Sequence, residues 1–188
     1  MTKNQQILAK MGGGSLALLV SLSLGQQASA VILVENLTQS IFDSSTVFLT
    51  QWQGSSFTTG TGSYNLESVT LLFEENFGGD LFVRLYSNNG GVPGSLITTF
   101  TNPASIPNIL DETTFTLATS QALTASTTYW LISGVSSGSG NYGWGLTSSD
   151  SETGLPGWTI GDDYVQSGDQ GGTWNPSSTV SPFQFRAC

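Results

Sequence analysis

Short runs of alternating apolar and polar residues recur along this chain beyond residue 30. Val69, Leu71 and Phe73 fall on one face of residues 69–75, and Leu81, Val83 and Leu85 on one face of residues 81–86. A period of two marks extended strands with one buried face. Similar runs cover residues 31–38, 96–100, 113–117, 128–135, 142–147, 164–167 and 182–186. No stretch in this region keeps a helical period, and Ser, Thr, Gly and Asn outnumber the good helix formers. The pattern predicts an all-β protein, an antiparallel β-sandwich or jelly roll of about nine strands.

Turn formers sit between the runs. Asn76-Phe77-Gly78-Gly79-Asp80 predicts a hairpin between its neighbours, and Asn88-Asn89-Gly90-Gly91 supplies residues that accept positive φ. Pro93-Gly94 predicts a further turn, and residues 136–140 a short loop. No internal repeat points to a propeller or solenoid.

The first thirty residues differ in kind. Lys3 and Lys10 precede a short apolar run over residues 16–24, which ends in Ala28-Ser29-Ala30. This is the layout of a helical secretory signal peptide, residues 1–30, and its apolar run is too short to span a membrane. The expectation is an exported protein of the cell surface or extracellular space, with residues 31–188 forming one domain. Of its core, little can be stapled by sulfur, because Cys188 is the sole cysteine.

Charge narrows the partners. All thirteen carboxylates follow residue 30, where Arg84 and Arg186 are the only cations, leaving a net charge of −11. Clustered Lys and Arg, which a phosphate backbone demands, are absent. Nucleic acid is therefore not an expected partner, and no membrane span is expected in the exported part. With no His, the chain lacks the usual imidazole base and the common nitrogen ligand of zinc. No catalytic residues are assigned, and the expectation is a protein that is not an enzyme.

Several segments resemble a known family in order and spacing. They are Gln53-Gly54-Ser55-Ser56-Phe57-Thr58-Thr59-Gly60, then Tyr64-Asn65-Leu66-Glu67-Ser68-Val69-Thr70-Leu71, then Leu85-Tyr86-Ser87-Asn88-Asn89-Gly90-Gly91-Val92-Pro93-Gly94, and finally Thr127-Thr128-Tyr129-Trp130-Leu131. This order resembles the choice-of-anchor R family of bacterial surface proteins, often sorted by a C-terminal PEP-CTERM tail. The resemblance implies a surface ectodomain and brings no catalytic residues. The sequence stops at Cys188 without the Pro-Glu-Pro motif and apolar helix of such a tail, so membrane anchoring of this product is not expected.

Candidate chemistry lies in the last third. Tyr142, Trp144, Trp158, Tyr164 and Trp174 could stack on sugar rings, while Asp162, Asp163 and Asp169 accept hydrogen bonds from sugar hydroxyls. The competing reading makes the tryptophans core or turn plugs. Ser167-Gly168-Asp169-Gln170-Gly171-Gly172-Thr173-Trp174 fits the Asp-box pattern, in which an aspartate caps turn amides and a tryptophan packs beneath. Acidic pairs at Glu74-Glu75, Asp111-Glu112 and Asp162-Asp163 suit calcium in ligand type but show no EF-hand spacing. Otherwise no cofactor is expected. The function expected is interaction: binding of extracellular polysaccharide, other glycan or surface proteins. Two alternatives stand beside it, a glycoside-active enzyme using a carboxylate pair and a purely structural matrix component.

Overall fold

The computed structural model describes residues 30–177 and 180–188; all but the last residue of the expected signal peptide lies outside them. Thirteen strands run through this region: β1 (Val34–Glu35), β2 (Ile41–Phe48), β3 (Trp52–Thr58), β4 (Tyr64–Phe77), β5 (Leu81–Asn89), β6 (Val92–Thr99), β7 (Asp111–Leu123), β8 (Thr128–Val135), β9 (Asn141–Thr147), β10 (Thr153–Gly154), β11 (Thr159–Ser167), β12 (Asn175–Pro176) and β13 (Phe185–Ala187). Among the described residues there is no helix, hence none long and apolar enough to cross a membrane.

The strands form two antiparallel sheets packed as a sandwich. One runs β10-β1-β13-β4-β9-β2, with β7 on the other edge of β4; the second runs β12-β11-β3-β8-β5-β6. Alternate side chains fill the space between them. Val69, Leu71, Phe73, Phe115, Trp144 and Phe185 of the first sheet meet Phe57, Val83, Leu85, Leu131 and Ile160 of the second. Phe57 and Phe185 touch across the layers with ring centroids 6.2 Å apart. Leu81, Val83 and Leu85 point inward, as the alternation predicts.

Two expectations need correction. Asn76-Phe77-Gly78-Gly79-Asp80 is not a hairpin turn: β4 and β5 lie in different sheets, and the segment crosses between them. The Tyr142 hydroxyl pins this crossover, donating to Gly79 O at 2.9 Å and accepting from Gly79 N at 3.0 Å. Pro93-Gly94 makes no separate turn but lies within β6, beside the shifts in β5–β6 register. The β5–β6 reversal is at Gly90-Gly91, with φ of 65° and 90° at the two central positions of a type I′ turn.

β2 and β3 were not predicted, and β3 is central to the second sheet. Its inward residues are Gln53, Ser55 and Phe57, so an apolar alternation is missing although all three are buried. Pairing on both sides, with β8 and β11, satisfies its backbone and holds it.

Candidate functional site

The outer face of the six-stranded sheet is apolar where a solvated face is ordinarily polar. Phe82, Trp130, Ile132 and Val165 form a second buried cluster there, with Trp52, Tyr86 and Trp174 packed against it. Cross-strand register sets out its rows. Trp52 and Phe82 flank Gly134, and their rings meet edge to face at 4.7 Å. A Cβ on Gly134 would lie 2.6 Å from Trp52 Cδ1 and collide with Phe82, so only glycine lets both rings close over the backbone. In the next row Arg84 opposes Ile132, and in the following one Tyr86 opposes Trp130, which opposes Ser56.

Beside the Ser56–Trp130 row lies a groove of about 370 Å³. Ser56, Thr58, Thr128, Trp130 and Val165 line it from the sheet, Asn88 and Gly91 from the β5–β6 hairpin, and Gly161, Asp162 and Asp163 from β11. A bulge in β11 makes the acidic wall. Ile160 pairs with Phe57 and Tyr164 with Ser55, so three residues, 161–163, oppose Ser56 alone. Such insertions bend a strand and re-aim its side chains. Gly161 is required where the bulge crosses Ser56, since a Cβ there would strike Ser56 Oγ. Asp162 and Asp163 are thereby turned outward and exposed.

The groove presents groups with spare hydrogen-bonding capacity. Trp130 Nε1 donates to Asn88 Oδ1 at 3.0 Å and Gly91 N donates to the same oxygen at 3.2 Å, fixing the asparagine with its Nδ2 unused among the described residues. Thr58 and Thr128 share a hydroxyl–hydroxyl hydrogen bond of 2.8 Å. The Ser56 hydroxyl and the carboxylates of Asp162 and Asp163 have no side-chain hydrogen bond within the described residues. Donors and acceptors are thus placed together on a sheet whose backbone is rigidly paired, and the Trp130 indole beside them is buried.

The eight residues singled out from sequence scatter to three places. Tyr142, Trp144 and Trp158 do not form an outer aromatic surface: all three are core, at most 5% exposed. In β9 the large rings alternate with Gly143 and Gly145, so one face of the strand takes both rings and sends them inward. Trp144 stacks on Phe183 at 4.4 Å and its Nε1 donates to Gln184 O; Trp158 stacks on Phe57 at 6.0 Å. Tyr164 is half-buried and also turned to the core, edge-on to Phe183 at 5.4 Å. Only Asp162 and Asp163 come together on the groove.

Asp169 and Trp174 belong to the Asp-box turn beyond the groove. Asp169 Oδ1 accepts from Thr173 N and Ser167 Oγ, both at 2.8 Å, and Oδ2 accepts from Thr173 Oγ1 at 2.7 Å. Ser167 Oγ in turn accepts from Gly171 N at 2.7 Å. Gln170 and Gly171 take φ of 59° and 86°, the left-handed pair this turn needs. Hydrogen bonds from Thr173 above all, with Ser167, hold the Asp169 carboxyl below the usual range. Its oxygens serve the turn, and Trp174 packs into the outer aromatic cluster.

A second acidic group adjoins the back of the bulge. Glu152 lies with Asp150 and Asp162, and burial first, then those two charges, pushes its carboxyl upward. No group of three or more metal-ligating side chains is arranged for an ion among the described residues. The Cys188 thiol is half-buried, and burial raises its pKa, which makes it a weak nucleophile at neutral pH.

The groove residues missed from sequence are Ser56, Thr58, Asn88, Thr128 and Trp130. One signal for them is Tyr129-Trp130-Leu131-Ile132 in β8: four apolar residues in succession mean a strand covered on both faces. No family model, curated protein or solved structure matches this chain, so function has to be read from the geometry of the molecule itself.

Proposed function

We propose that this chain is a non-catalytic interaction module that acts outside the cytoplasm by binding glycan in the outer-face groove. The observation that carries the reading is the convergence of Asp162, Asp163, Ser56, Thr58, Thr128 and Asn88 beside Trp130 in one groove of about 370 Å³. Sugars offer hydroxyls that both donate and accept. Carboxylates and hydroxyls carried on a rigidly paired sheet answer that need with little loop ordering. The role in adhesion or matrix association, and export by the leader at residues 1–30, are part of the same proposal. The resemblance of its sequence segments to choice-of-anchor R surface proteins belongs to the same proposal.

The test is a glycan array followed by titration of the best hit, read by tryptophan fluorescence. Asp163→Ala and Ser56→Ala are expected to weaken binding about tenfold or more, because each removes a hydrogen-bonding group at the ligand. Binding that is unchanged in both variants, or no binding to any glycan on the array, overturns the proposal.

A further inference from the structure

Among the described residues Arg84 has no polar partner. Its guanidinium lies on the Phe82 ring with Cζ 3.8 Å from the centroid, and its Nε is buried without a hydrogen bond. Neither ion pair of the described residues involves it; both belong to Arg186, which Glu35 and Glu112 share. Yet the chain has thirteen carboxylates and only two arginines. A guanidinium carries five N–H donors and pairs with carboxylate in a two-pronged fork. Here one half-buried cation rests on an aromatic ring, in a strongly acidic molecule, and no acid of the protein meets it.

The position of Arg84 gives this meaning. It stands on the same outer face as the groove, two residues from Tyr86, whose cross-strand partner is Trp130. Two residues of strand separate the Arg84 backbone from that row by about 7 Å, and the guanidinium, lying on Phe82, is on the side of Arg84 away from it. We infer that Arg84 is the subsite for a carboxylate on the glycan, so that the ligand bears a uronic acid further along the outer face from the sugar seated in the groove. This inference rests on the glycan-binding reading and names the chemical class of its ligand. Net charge limits it further. A surplus of eleven negative charges over residues 31–188 repels a densely anionic polymer, so the acids are isolated along an otherwise neutral chain.

Only two arginines occur, so each Nε–H gives one assignable signal in a nitrogen–proton correlation spectrum. Full-length protein is titrated with methyl glucuronide and, separately, with methyl glucoside, which has the same ring without the carboxylate. The Arg84 signal is expected to move with the glucuronide and stay with the glucoside, while the Arg186 signal stays in both. Arg84→Met, which keeps the packing on Phe82, is expected to lose about tenfold in affinity for the glucuronide, the worth of one charge-assisted contact. Arg84→Lys, keeping charge without the fork, is expected to fall between. An Arg84 signal that ignores the glucuronide, or answers both sugars alike, overturns the inference. So does equal affinity in Arg84→Met. If neutral glycans bind the groove while any of these holds, the acid subsite falls and the glycan-binding reading stands; if no sugar binds, both fall.

Discussion

Arg186 and Glu35 tie the last strand to the first. They are directly paired in the β13–β1 ladder, and Arg186 Nε donates to Glu35 Oε2 at 2.6 Å. Glu112 of β7 meets the same guanidinium through Nη1 at 3.1 Å. The two carboxylates differ in environment: the Glu35 side chain is 10% exposed and that of Glu112 49%.

That difference orders two substitutions. Glu35→Gln is expected to cost about 1.5–3 kcal/mol, the range for a hydrogen bond to a charged group. Glu112→Gln is expected to cost about 1 kcal/mol or less and to lose its effect in high salt, as exposed pairs do. Urea denaturation at two salt concentrations measures both. A larger cost for Glu112 contradicts the assignment of the closing contact to Glu35.

Trp144 and Trp158 are core, and their replacement should read as such. Trp144→Ala is expected to destabilise by about 3–5 kcal/mol through loss of burial and the cavity left behind. Where the variant still folds at low temperature, its glycan affinity is expected to match wild type. Selective loss of binding with unchanged stability would return Trp144 to the site.

Gly134 is a packing test of the outer face. Gly134→Ala drives a methyl group into Trp52 and Phe82, and overpacking of this kind costs about 1–3 kcal/mol. The Trp52–Phe82 contact should open, visible as a change in near-ultraviolet circular dichroism and a lower melting temperature. A melting temperature equal to wild type would mean that the rings yield freely.

Two carboxylates give opposite pH dependence. Glu152 is raised by burial and by Asp162 and Asp150, so the folded state holds its proton longer than the unfolded chain. Stability from this site therefore falls as pH rises from the ordinary carboxylate value through the raised one. Glu152→Gln is expected to raise the melting temperature at neutral pH and to lose that benefit in acid. Asp169 is lowered by its turn hydrogen bonds, so its contribution is complete above the ordinary carboxylate value and is lost as pH falls through the lowered one. Asp169→Asn is expected to destabilise at neutral pH, with the gap to wild type closing in acid. Melting curves across pH check both signs, and a Glu152→Gln variant less stable than wild type at neutral pH refutes the first.

The architecture was legible wherever burial left a period of two. In β4 and β5 the apolar side chains that fill the core mark themselves in the sequence, because neighbours on a strand point to opposite faces. The Asp-box turn was legible too, since its hydrogen bonds span only residues 167–173. β3 was not: its buried Gln53 and Ser55 carry no apolar signal, and what holds the strand is pairing with β8 and β11, seventy or more residues away in sequence.

The candidate site was half legible for the same reason. Asp162 and Asp163 were visible as an acidic pair, but not the bulge that turns them outward, which exists only as a mismatch of register between β11 and β3. The rings of Tyr142 and Trp144 could be counted, whereas their direction depends on which face of β9 the second sheet covers. Sequence alone thus settled the strand character of the alternating runs, the Gly90-Gly91 and Asp-box turns and the scarcity of cations. Tertiary pairing decided which side of each strand meets solvent, and so brought Ser56, Asn88, Trp130 and Asp163 to one groove and left Arg84 facing outward without an acid.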